Sequence, residues 1–106
     1  MTMIEQTYHL NRTDGKTVER ILIDENISYA QMILPQNEGP PVHNTDSTVY
    51  MTVIRGTLSI ALGDQEMHHY EAGTLLKIPN GTKMNLKNLH PASLELIVVK
   101  SPPPVK

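Results

Sequence analysis

The chain has 106 residues, which is enough for one domain with a single, thin hydrophobic core. It contains no Cys, which excludes disulfides, thiolate metal sites and thiol nucleophiles. A formal net charge of −2 without a basic cluster argues against nucleic-acid binding, and no apolar run is long enough to span a membrane. Because the N-terminus also lacks a signal-peptide pattern, we expect a cytoplasmic protein without nucleic-acid or membrane partners.

Short apolar segments between recurrent turn signals predict an all-β sandwich or barrel. No window sustains the period of an amphipathic helix. The predicted strands are residues 8–10, 17–23, 27–34, 42–46, 48–54, 57–62, 65–70, 75–78, 83–87 and 93–100. We expect residues 1–100 to form one domain and residues 101–106 a loosely held, proline-rich tail.

The strand at residues 27–34 leaves one question of orientation open. Either Tyr29, Gln31 and Ile33 face the interior, or the alternate set does, which consists of Ala30, Met32 and Leu34. In the first case Gln31 would add a polar contact to an interior site.

Residues 73–88 contain a strand, a tight turn and a second strand. Pro79 fixes φ, and the Asn80-Gly81 pair tolerates positive φ, so a β-hairpin is predicted here. After the turn, Met84 and Leu86 alternate with polar residues and therefore share one face.

The same stretch resembles the second motif of the cupin superfamily, G-x5-P-x-G-x2-H-x3-N. Gly73, Pro79, Gly81 and Asn88 stand at the matching positions, and Met84 replaces the histidine. The resemblance implies a small double-stranded β-helix, or jelly-roll barrel, made of two antiparallel sheets. It also implies a homodimer, since small members of this family commonly pair.

The first cupin motif, G-x5-H-x-H-x3,4-E-x6-G, is matched less completely. When the closing glycine is placed on Gly56, the metal-binding positions fall on His43, Thr45 and Val49, and Asn37 takes the place of the opening glycine. Two of these substitutions weaken the site, since Val cannot bind metal at all and Thr is a weak substitute for imidazole. At the fourth position the thioether of Met84 is a poor ligand for Fe(II), Mn(II), Ni(II) or Zn(II).

The spacing nevertheless predicts a ligand pocket. His43, Thr45 and Val49 are separated by even numbers of residues, so a regular strand points them the same way, and Met51 joins them if the alternation continues. We therefore predict a pocket lined by His43, Thr45, Val49, Met51 and Met84. Two alternatives without a ligand stay open. In one, Met84 only fills space in the core. In the other, His43 is hydrogen-bonded to backbone at the barrel mouth.

The other histidines carry no comparable pattern. His68 and His69 are adjacent and are expected on a solvated strand, and His9 and His90 are expected at the surface.

The favoured function is therefore a non-catalytic, small-molecule-binding module that needs no metal or other cofactor. The main alternative is a metal-dependent cupin enzyme, oxygenase- or isomerase-like, with a site rebuilt around His43. There are two further alternatives. One is a purely structural or regulatory partner protein whose pocket has filled in, and the other is a metal-independent enzyme with His43 as the base. An outward face containing Tyr50, Thr52 and Ile54 is the expected partner surface for a second copy.

Overall fold

The computed structural model describes residues 3–104. These residues form two antiparallel sheets, as predicted, and contain no helix that could cross a membrane. The nine strands found in them are β1 (Thr17–Ile23), β2 (Ser28–Leu34), β3 (His43–Asn44), β4 (Thr48–Arg55), β5 (Thr57–Leu62), β6 (His68–Glu71), β7 (Leu75–Ile78), β8 (Lys83–Lys87) and β9 (Leu94–Ser101). One sheet has the order β1-β2-β9-β4-β7 and the other has the order β3-β8-β5-β6.

The strand predicted at residues 8–10 does not form. Residues 3–10 are exposed, with a bend at Ile4 and Glu5, and no sheet ladder includes them. The apolar character of Tyr8 and Leu10 suggested a strand, but a strand also needs a hydrogen-bonding neighbour. Within residues 3–104, hydrogen bonding of this segment to the body of the domain begins at Asn11, whose backbone N–H donates to the Gln31 Oε1 atom at 2.7 Å.

The hairpin predicted across residues 79–81 is also wrong, although both of its strands exist. Strand β7 pairs with β4, whereas β8 pairs with β5 and β3. The turn therefore carries the chain from one sheet to the other. Pro-Asn-Gly chemistry specifies a tight reversal but does not specify which strands pair on either side of it.

The core fills the space between the sheets, and β4 shows the expected alternation. Its inward side chains, almost fully buried, are Val49, Met51 and Val53. Its outward side chains, half-buried or exposed, are Tyr50, Thr52 and Ile54. The predicted inner and outer faces of this strand are therefore confirmed.

The orientation of β2 is resolved in favour of the second alternative. Ala30, Met32 and Leu34 pack into the core, so Gln31 points to the opposite face. Gln31 is nevertheless fully buried, because residues 11–13 cover that end of the sheet. Its Nε2 atom donates to the Asn11 carbonyl at 2.9 Å and to the Glu95 carboxylate at 3.1 Å. Gln31 thus attaches the N-terminal segment and does not face the interior.

We predict that Gln31→Ala lowers the free energy of unfolding by about 2 kcal/mol, because the backbone groups of Asn11 lose a buried partner. Urea denaturation checks the value, with Gln65→Ala as the matched control, since Gln65 is exposed in a turn. Equal destabilisation by the two substitutions would contradict this role for Gln31.

Candidate functional site

The two motif regions are held together by the buried side chain of Asn88. Its Nδ2 atom donates to the carbonyls of Leu34 at 2.8 Å and Ala92 at 2.9 Å. Its backbone N–H donates to the Glu38 carbonyl at 3.0 Å, and its own carbonyl accepts from the Asn37 N–H at 2.6 Å. The loop that leads to β3 and the end of β8 are therefore fixed relative to each other.

The loose start of the first motif has a backbone explanation. Asn37, which stands at the position of the family's opening glycine, has a φ of 70°. Asn is one of the few residues other than Gly that adopt this left-handed conformation readily. Two residues later, a Cβ on Gly39 would clash with the Leu86 carbonyl oxygen, so only glycine fits there.

Thr45 anchors the turn between β7 and β8. Its Oγ1 atom donates to the Pro79 carbonyl at 2.8 Å and accepts from the Thr82 N–H at 2.9 Å. The Thr45 carbonyl also accepts from the Gly81 N–H at 2.9 Å. The buried hydroxyl of Thr45 is therefore committed to the fold and offers little to a ligand.

A small cavity of about 90 Å³ lies between the sheets, and all five predicted pocket residues line it. Thr45, Val49, Met51 and Met84 are buried, whereas His43 is exposed at the mouth. The remaining lining residues are Met32, Pro40, Leu86, Val98 and Lys100. Met84 thus belongs to the core and also forms part of the cavity wall. Contact of these residues with a ligand stays a prediction.

One ring nitrogen of His43 is bonded to the backbone. Its Nδ1 atom lies 2.9 Å from the Pro41 carbonyl oxygen. Because a carbonyl can only accept, Nδ1 carries the proton, and Nε2 of the neutral ring has a free lone pair. The hydrogen bond between His43 and backbone, which was one of the two alternatives for this residue, is therefore present. It leaves the second ring nitrogen available to a ligand.

Lys100 is the charged residue of the cavity lining, and the sequence analysis missed it. On β9 the side chains of Leu94, Leu96 and Val98 point inward, and the next residue in this alternation is Lys100. The period-two pattern could have identified it. The Lys100 Nζ atom lies 3.6 Å from a carboxylate oxygen of Asp46, and the two side chains are 30% and 59% exposed.

The donor set does not fit the metal that cupins commonly carry. Within residues 3–104, no group of three or more His, Cys, Asp or Glu side chains is arranged to hold a metal ion. Val49 has no donor atom, and the hydroxyl of Thr45 is already bonded. His43 and the soft thioether of Met84 are too few and too dissimilar for the divalent ions of this family.

The remaining histidines lie away from the cavity. His9, His68 and His69 are exposed, and His90 is half-buried. The Nδ1 atom of His69 lies 2.8 Å from the Ser59 Oγ atom, and the His69 and His90 rings stand edge to face at 5.9 Å. None of these side chains lines the cavity.

A larger open groove of about 740 Å³ lies beneath residues 8–14, beside Arg55 and Glu95. Two arginines line it. Arg55 is already paired, since it contacts Asp14 at 2.6 Å and Glu95 at 3.0 Å, whereas Arg12 makes no ion pair within residues 3–104. These carboxylates, Asp14 above all, raise the pKa of Arg55 further above its ordinary value. We regard the smaller cavity as the candidate site because it lies at the positions of the two cupin motifs and is lined by buried apolar side chains.

Comparison with known proteins establishes the family. An uncharacterised protein of Methanocaldococcus jannaschii is 37% identical over an alignment of 106 positions, which covers 98% of this chain and 90% of the relative. The crystal structure of that protein is described as an RmlC-like cupin with a double-stranded β-helix fold. It superposes with a TM-score of 0.91 at 34% identity, over 95% of this chain and 94% of the other. The chain belongs to the RmlC-like cupin family.

More distant structures share only the fold with this cupin. A Thermus thermophilus protein has a TM-score of 0.74 at 18% identity, over 88% of this chain and 89% of the other. A cupin superfamily protein of Desulfitobacterium hafniense has a TM-score of 0.73 at 8% identity, over 88% and 83%. No protein-family model matches the chain.

We predict that Thr45→Val destabilises the cupin by about 1–3 kcal/mol, because the Thr82 N–H loses its buried acceptor while the shape of the side chain is kept. Thermal or urea unfolding measures the change. Thr57→Val is the control, since Thr57 makes no side-chain hydrogen bond within residues 3–104. An unchanged midpoint for Thr45→Val would show that the turn does not depend on this hydroxyl.

Proposed function

We propose that this cupin is a non-catalytic module that binds a small molecule without a metal and has lost most of the family's metal ligands. The observation that carries the proposal is the cavity at the former ligand positions. Its walls are largely apolar, and its polar groups with free capacity are at the mouth. Such a site suits a molecule with an apolar body and one polar end.

The walls of the cavity support binding of this kind. Met32, Met51 and Met84 all contribute, and methionine adapts its shape to an apolar partner at low cost. The cavity volume equals about three liquid water molecules, which limits the buried part of a ligand to roughly three or four carbon atoms.

The enzyme alternatives receive less support. A metal-dependent reaction would need ligands around His43 that the described residues do not bring together. A metal-independent reaction with His43 as base would benefit from a carboxylate that orients the ring. The Nδ1 atom of His43 instead faces the Pro41 carbonyl, and no carboxylate of the described chain lines the cavity.

The methionines allow a direct test of the proposal. With ¹³C-methyl-labelled Met, we expect butan-1-ol to shift the methyl signals of Met32, Met51 and Met84 in a saturable way. The signal of Met67 should stay in place, because Met67 does not line the cavity. In parallel, the untagged protein is incubated with Fe(II), Mn(II), Ni(II), Zn(II) or Cu(I), desalted and analysed for metal. We expect no ion near one per chain.

Two results would overturn the proposal. One is retention of an ion at one per chain together with its loss in His43→Ala. The other is the absence of saturable shifts at the cavity methionines with every small aliphatic probe.

We further propose a homodimer in which each copy covers the outer face of the five-stranded sheet and the N-terminal arm of the other. The arm, residues 3–10, is exposed along its whole length, and Ile4 is fully exposed. The sheet face beside it displays Ile54 at 47% and Leu75 at 63% exposure. An exposed apolar arm and an exposed apolar sheet face on one chain are self-complementary, as a two-fold dimer requires.

For this dimer we expect sedimentation equilibrium to give twice the chain mass at micromolar concentration. Ile54→Asp and Ile4→Asp should each weaken association at least about tenfold, because each buries a charge in an apolar contact. Leu89→Asp is the control, because Leu89 is exposed on a loop outside both surfaces. A monomeric wild-type protein would exclude the dimer, and loss of association by Ile54→Asp alone would exclude a role for the arm.

A further inference from the structure

We infer that the cavity takes a short aliphatic carboxylate, whose charged group is held at the mouth by Lys100. This inference rests on the proposed function, since it names the ligand class of the same cavity. It depends on three observations, which are the placement of Lys100, the weakness of its present contact and the state of His43.

The position of Lys100 is fixed by a central strand of the larger sheet. Strand β9 lies in the middle of the five-stranded sheet, where Lys100 is opposite Ser28 on one side and Val49 on the other. Both neighbours are almost fully buried. The backbone of Lys100 is therefore fixed by ladders on both sides, and only its side chain is free to move. Lys100 follows three inward-pointing apolar residues on this strand and therefore brings a positive charge to the apolar cavity.

Asp46, the present partner of Lys100, makes only a weak ion pair with it. The 3.6 Å separation from Asp46 is well beyond the distance of a close charge-assisted hydrogen bond, which is about 2.7–2.9 Å. Asp46 is exposed to solvent, which screens its charge, so an ion pair of this kind contributes little. A ligand carboxylate at the cavity mouth can therefore replace Asp46 as the main partner. Arg55 offers no such opening, because two carboxylates already contact it.

His43 adds a second point of recognition. Its free Nε2 lone pair accepts a hydrogen bond when the ring is neutral, so it favours a ligand with a donor such as a hydroxyl. A short hydroxycarboxylate would thus use both polar groups of the mouth. The volume of about 90 Å³ restricts the apolar part to a few carbons, while the charged end stays near solvent.

Butyrate, butyramide and butan-1-ol test the inference, because they share an apolar body and differ in the polar end. Titrations are followed through the methyl signals of the cavity methionines. We expect wild-type protein to bind butyrate about tenfold more tightly than butyramide, as a charge-assisted contact would give. Lys100→Met, which keeps the length of the side chain, should reduce butyrate affinity to that of butyramide and leave butyramide unchanged. Lys83→Met is the matched control, since Lys83 is exposed and outside the cavity.

Each outcome separates the inference from the proposed function. If the three probes bind equally, or if Lys100→Met leaves the affinity for butyrate unchanged, the carboxylate inference is wrong and the binding module stands. If none of the probes shifts the cavity methionines, the proposed function itself is wrong. Folding of Lys100→Met is verified by the unchanged signal of Met67, which does not line the cavity, so a loss of binding cannot be attributed to unfolding.

Discussion

The site depends on one buried amide, that of Asn88. A buried amide must have its donors and acceptor satisfied, and here the partners come from the end of β2, from the loop that follows β8 and from its own backbone neighbour His90. These bonds, with the two backbone bonds to residues 37 and 38, hold the loop that delivers His43 to the cavity mouth. The asparagine of the second cupin motif therefore has a structural task that does not require a metal. This explains how the motif can keep its glycines, proline and asparagine while its metal-binding positions differ.

The fold could be predicted to a large extent because two local signals agree with it. Alternation in β4 identified the inner face, and the spacing of glycine and proline in residues 73–88 identified the cupin barrel. Pairing was harder, because strands β7 and β8 follow one tight turn and still belong to different sheets. The strand predicted around Tyr8 and Leu10 was wrong for a related reason. Strand formation depends on a neighbour far away in the chain, which a short apolar segment does not reveal.

The candidate site was predictable only in part. Motif alignment and alternation brought His43, Val49, Met51 and Met84 to one cavity, as the structure now places them. The same reasoning treated Thr45 as a possible ligand contact, but its hydroxyl bonds to the turn at 79–82, a tertiary contact that no spacing rule contains. Lys100 was missed for a different reason. Its alternation with Leu96 and Val98 is visible in the sequence, but lysine near a chain end is ordinarily assigned to the surface.

The methionine-rich wall also gives the cavity a chemical sensitivity. Three of the six methionines in the chain line it. Peroxide converts methionine to its sulfoxide, which is polar and stiffer, so oxidation of one wall residue would place a dipole against the apolar body of an occupant. Met84 is almost fully buried, and an occupant would shield it further. In an oxidising solution the cavity methionines of the ligand-free protein should therefore be oxidised faster than those of the ligand-bound protein.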